Sequence, residues 1–174
     1  MPSSKGKAGK VRAAPVRRRA RAAPKPAATG TPLNAHFTLE ELCFSSVAVR
    51  LGIDNTPDEE IVAHLRVLAQ GLERVRALLG HPMHIDSGYR CGALNAAVKG
   101  SKTSAHTRGY AADFICAAYG EPLQIVQTVA RSNIAFDQCI QEGTWVHISF
   151  DPRLRKEVLT AHFGPDGTRY TPGV

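Results

Sequence analysis

Three side chains in this sequence have the types and the spacing to do chemistry together. His106 and Asp113 lie in Ser104-Ala105-His106-Thr107-Arg108-Gly109-Tyr110-Ala111-Ala112-Asp113, and His147 follows in Trp145-Val146-His147. Two neutral imidazoles and one ionised carboxylate form a ligand set suited to a catalytic zinc, because they supply three donors and leave a position for water. A metal held this way lowers the pKa of its water towards ~7 and polarises a carbonyl. If the three side chains converge, the chain is a metallohydrolase. Residue type alone suits a plain hydrogen-bonding role for each histidine equally well, so the surrounding elements must decide.

Those elements can be read from periodicity. The small residues between His106 and Asp113 suit a turn after the histidine and a buried strand, Tyr110 to Cys116, carrying the aspartate. Strand alternation in Trp145 to Phe150 puts Trp145, His147 and Ser149 on one face and Val146, Ile148 and Phe150 on the core face. Phe136 to Gln141 and Thr144 to Phe150 read as two strands of a hairpin joined at Glu142-Gly143. Upstream, Thr38 is an N-cap with Glu41 three residues on, and Phe37 against Leu42 forms a staple. Thr56-Pro57-Asp58-Glu59 repeats the device, with Pro57 at the first helical position. The helix it starts carries Ile61, Leu65, Leu68, Leu72, Val75 and Leu79 on one stripe and ends at Gly80; His64, beside that stripe, reads as structural. Pro82 to Ser87 reads as a strand, Cys91 to Val98 as a short helix, and Pro122 to Arg131 as a helix with Leu123, Val126 and Ala130 on one face. Leu159 to Phe163 is the last predicted strand, before a Gly/Pro-rich end. Helices first, then strands mixed with shorter helices, predict an α+β fold with a small, largely antiparallel sheet.

Charge divides the chain. Residues 1–30 hold nine cations and no acid, so of 22 Lys+Arg only 13 remain against 15 Asp+Glu, and the net charge of +7 belongs to this segment. Residues 1–32 are rich in Ala, Pro, Gly and Ser without an aromatic, and are read as a disordered basic tail ahead of a domain at 33–174. The tail suits either a solubilising spacer or contact with a polyanion: nucleic acid, anionic lipid or acidic wall polymer. It lacks the apolar stretch of a secretory signal, and no apolar run reaches membrane-spanning length, so the expected site of synthesis is the cytoplasm. Its arginine-rich, acid-free character also fits an organellar transit peptide, although its prolines weaken the helix that would need. Cys43, Cys91, Cys116 and Cys139 show no CxxC pairing and are expected to be free, mostly buried thiols.

Three blocks together resemble a known family. Ser87-Gly88-Tyr89-Arg90, Ser104-x-His106-x-x-Gly109-x-Ala111-x-Asp113 and Trp145-Val146-His147 are similar to the signature blocks of the zinc D-Ala-D-Ala peptidases. That family includes D-Ala-D-Ala carboxypeptidases, vancomycin-resistance dipeptidases and the L-alanyl-D-glutamate endopeptidases of phage endolysins. The resemblance runs from about Phe37 to Phe150 and implies a compact Hedgehog/DD-peptidase-like domain. It implies that His106, Asp113 and His147 bind Zn2+, and that Arg90 steadies the substrate carbonyl or the developing oxyanion. Ser104 matches a serine lining the substrate site, with a turn-stabilising hydroxyl as the alternative. Ser87 and Tyr89 read as structural.

One position departs from the pattern. Many members carry an Asp or Glu three residues before the last histidine ligand as general base, and here that residue is Thr144. Glu142 is the nearest carboxylate; on a regular strand its odd offset from His147 would point it to the opposite face, unless Gly143 re-aims it through a bulge or tight turn. Asp137 is the fallback, with Asp86 and His84 behind it. The resemblance therefore implies a zinc peptidase cutting peptidoglycan stem peptides, as carboxypeptidase or endopeptidase, in which Glu142 deprotonates water that attacks a carbonyl held near Arg90. Phage-type lysis would bring such a protein to the wall without a signal peptide. Thr144 favours the rival reading, a catalytically weak or inactive module of the same fold attached by its basic tail to wall polymer or nucleic acid.

Overall fold

The computed structural model describes residues 30–165 and 167–174. Residues 1–29, which hold most of the predicted tail, lie outside the described residues. At the start of the described chain, Thr31 N–H donates to the Glu40 carboxylate at 2.8 Å, and Pro32 bridges Thr38.

Helix α1 (Leu39–Cys43) begins where expected: the Thr38 hydroxyl accepts from Glu41 N–H, and Phe37 and Leu42 are both buried. It stops after five residues because Ser45 starts a second helix, α2 (Ser46–Leu51), by accepting from Ala48 N–H. The long helix α3 (Glu59–Leu79) is capped by Asp58, whose carboxylate accepts from Ile61 N–H, and not by Thr56. Pro57 therefore sits outside the helix; the aspartate offers a stronger, charged acceptor in phase with the first turn. Gly80, at φ +67°, closes α3, and Leu65, Leu68, Leu72, Val75 and Leu79 are buried as the periodicity predicted.

Six strands follow, β1 (His84–Ser87), β2 (Ala111–Ile115), β3 (Gln138–Glu142), β4 (Trp145–Ser149), β5 (Glu157–Gly164) and β6 (Gly167–Pro172), with α4 (Gly92–Ala97) and α5 (Pro122–Arg131) between them. The sheet order is β1-β2-β4-β3-β5-β6, antiparallel throughout except for the parallel β3–β5 pair. This is the α+β architecture with a largely antiparallel sheet. One face carries Ala112, Phe114, Cys139, Val146 and Ile148 into a single core with α3 and with Ile125, Val126 and Val129 of α5. The stripe predicted for α5 was misplaced: Leu123 is exposed, and Pro122, Ile125, Val126 and Val129 are buried. The Gly/Pro-rich end also folds as strand β6, where Thr168, Tyr170 and Thr171 supply β-formers and the chain reverses between Gly164 and Gly167.

All four cysteines are free. Burial pushes the Cys43 thiol up to about 11 and raises those of Cys116 and Cys139, so they act as small apolar residues. Among the described residues, no helix is long and apolar enough to cross a membrane.

Candidate metal centre

The sheet register assembles the site. Asp113 on β2 stands directly opposite His147 on β4, and His147 stands opposite Ile140 on β3. Cross-strand partners share a face, so the aspartate and histidine meet on the side turned away from the core. His106 comes from outside the sheet, in a 3₁₀ turn at Ala105–Arg108. The Ser104 hydroxyl caps that turn by accepting from His106 N–H at 3.4 Å, and Gly109 closes it at φ +72° in the left-handed region before the chain enters β2. Ala111 and Ala112 are both fully buried, and their small size lets the turn pack close to the sheet.

The turn is pinned to the Ser87–Arg90 block by two bonds. Arg90 N–H donates to the His106 carbonyl at 3.2 Å, and His106 Nδ1 lies 2.6 Å from the Gly88 carbonyl. A carbonyl only accepts, so Nδ1 carries the proton and Nε2 presents its lone pair. That lone pair faces Asp113 Oδ1 at 3.1 Å and His147 Nδ1 at 3.1 Å, while His147 Nδ1 is 2.9 Å from the same carboxylate oxygen. Burial holds His106 below the usual histidine range, which keeps it neutral. A neutral nitrogen lone pair turned on an anionic oxygen is an arrangement that a bound cation relieves, and the three donors fit a metal ion.

Further groups complete a cleft of about 470 Å³. Arg90 Nη2 donates to the second Asp113 oxygen at 3.1 Å, so the guanidinium steadies a donor carboxylate while lining the cleft. Burial lowers its pKa, against the pull of Asp113 and Glu142. Ser104 lines the cleft as well as capping the turn, and Lys99 stands on the same rim.

Of the two orientations left open for Glu142, the structure shows the one re-aimed by a tight turn at Gly143. The chain reverses between Glu142 and His147, so parity along one strand does not apply: Glu142 pairs with Trp145, two residues from His147 and on its face. Gly143, at φ +72°, carries the tight turn, with Thr144 N–H donating back to the Glu142 carbonyl at 2.9 Å. Glu142 Oε2 accepts from Trp145 Nε1 at 2.7 Å. Burial raises the Glu142 carboxyl above its usual range, partly offset by His147.

The other carboxylates considered from the sequence stand elsewhere. Asp137 has the opposite strand parity to Ile140 and Glu142, is fully buried, and accepts from Arg155 at 2.7 and 2.8 Å. Asp86 sits 3.5 Å from His84, and neither lines the cleft. His64 stacks on Tyr110 at 4.2 Å and bonds the Arg108 carbonyl, a structural role. Sequence reasoning passed over Gly88 as a partner of the metal-competent histidine. Its signal was the glycine itself: a Cβ there would lie 2.2 Å from the Leu42 carbonyl oxygen. Trp145 and Tyr170, which flank Glu142, were also missed as site residues.

Helices α3 and α5 pack on one face of a mostly antiparallel sheet, and three side chains that could hold a cation meet in a cleft on the other, in a compact α+β domain. A family model described as Peptidase M15 matches residues 35–149, about two thirds of the chain, and the chain belongs to that family, the zinc D-Ala-D-Ala peptidases. No curated protein matches it.

Proposed function

We propose that this chain is a zinc-dependent peptidase that hydrolyses amide bonds in peptidoglycan stem peptides, with His106, Asp113 and His147 holding the metal. The observation that carries this reading is the Nδ1-protonated His106, whose free nitrogen and Asp113 Oδ1 face each other at 3.1 Å with His147 beside them. When bound there, zinc supplies Lewis-acid polarisation of a carbonyl and an acidified water.

The chain's own residues do the rest. Glu142, raised by burial and facing the cleft, accepts the proton of the attacking water and returns it to the leaving amine. Arg90 orients Asp113 through Nη2 and sets positive charge beside the position where carbonyl oxygen gains negative charge. Gly88 keeps His106 in the tautomer that binds metal. The substrate class comes from membership of the family, and Glu142 in the cleft supports a working enzyme over an inactive module. The basic segment at 1–30 serves as a polyanion contact that holds the enzyme near an acidic wall, reached by phage-type lysis.

Zinc content and stem-peptide hydrolysis test the reading together. Purified protein loaded with zinc should bind one ion per chain and release product from stem peptides, and His106→Ala should lose both. Full zinc binding by His106→Ala, or no cleavage by zinc-loaded wild type, would count against it. Deleting residues 1–30 should leave cleavage of soluble peptide unchanged while weakening retention on a polyanionic matrix at low salt. Equal retention would remove the tail from the proposal.

A further inference from the structure

Strands β5 and β6 lie beyond the matched residues 35–149, yet they build one wall of the cleft through Leu159, Phe163, Thr168 and Tyr170. Their register singles out Tyr170. Trp145 pairs with Glu142, Gln141 pairs with Thr160, and Ala161 pairs with Tyr170. Continuing the parallel register by one residue sets Glu142 beside Ala161. Trp145, Glu142, Ala161 and Tyr170 thus form one row across four strands, on the cleft face.

Glu142 and Tyr170 are two strands apart, about 9.6 Å at the usual spacing. A tyrosine and a glutamate span that distance only if the residue between them is small. It is alanine, 7% exposed, so no bulky side chain separates the Tyr170 phenol from the Glu142 carboxylate, and both line the same cleft. Trp145 Nε1 donates to Glu142 Oε2 from the other side at 2.7 Å. The ring of Phe163 lies 5.9 Å from that of Trp145 and buttresses it.

We propose that Tyr170 is a positioning residue for Glu142: its hydroxyl donates to the carboxylate and, with Trp145, holds it in the cleft in one orientation. The terminal hairpin would then be part of the active site, completing what the matched region leaves open. This rests on Glu142 acting as the proton acceptor.

Tyr170→Phe removes only the hydroxyl from a half-exposed ring on an edge strand. With stem peptide and zinc-loaded protein, kcat should fall about tenfold, the worth of one positioned hydrogen bond, with KM little changed. A second readout needs neither metal nor turnover. Trp145 is the only tryptophan in the chain, so the emission of metal-free protein reports on its bond to Glu142. Glu142→Gln should alter that emission, and Tyr170→Phe should alter it in the same direction. A wild-type kcat in Tyr170→Phe, or unmoved emission in either variant, would overturn the proposal. Turnover surviving in Glu142→Gln would sink the assignment of the base instead, leaving the emission to judge the contact.

Discussion

At His106, a single backbone carbonyl decides which nitrogen is available. Gly88 O accepts from Nδ1, and that bond exists because Gly88 passes within contact of Leu42, where no Cβ fits. Gly88→Ala should therefore push the strand end away from α1 and withdraw the carbonyl from the imidazole. We expect zinc affinity to fall about tenfold or more, as for lost partners of metal-bound histidines, measured by competition with a chromophoric chelator. Unchanged affinity would mean that the tautomer is set by the metal alone. At this scale the sequence was informative where a side chain does the work: type made His106, Asp113 and His147 candidates, and the resemblance of three blocks to a known family singled them out. It was silent on the carbonyl, which belongs to every residue, and on Tyr170, whose approach to Glu142 depends on two intervening strand pairings.

Helix α3 shows how far an element can be read from its pattern. Its buried stripe followed from period, while its cap fell on Asp58 because two capping residues competed within one turn. Gly71 in the middle of α3 is buried, and a Cβ there would lie 2.4 Å from the Phe150 ring, itself 1% exposed. Alanine gains about 1 kcal/mol in helix propensity over glycine, but forcing a methyl against a buried ring costs about 1–3 kcal/mol. Gly71→Ala should thus lower the urea midpoint, and a raised midpoint would show that the ring can move. The hairpin β3–β4 shows the opposite limit. Both strands were predicted, yet the face of Glu142 was not, because it depends on the reversal at Gly143.

Across the whole molecule, an ion-pair cluster joins the start of β3 to the loop after β4. Asp137 accepts from Arg153 and Arg155, and Asp151 from Arg153, with both carboxylates almost completely buried. Burial opposes their charge, but the arginines outweigh it and hold both below the ordinary value of 3.8. Depressed carboxyls contribute stability that is present above their unfolded pKa and lost as pH falls through the folded one. Stability should therefore decline below about pH 4 through these groups. Asp137→Asn should cost about 2 kcal/mol at neutral pH, and its deficit against wild type should shrink as acid removes the same charge. Urea unfolding at a series of pH values measures this; a deficit independent of pH would assign the loss to packing. By itself the sequence determined the α+β class and the core stripe of α3, because these depend on residue type and local period, and its three signature blocks marked the family and the candidate triad. Tertiary structure alone decided that Glu142 faces the triad, that Asp137 does not, and that the terminal hairpin closes the cleft. Those outcomes follow from sheet register, which sums pairings between segments far apart in the chain.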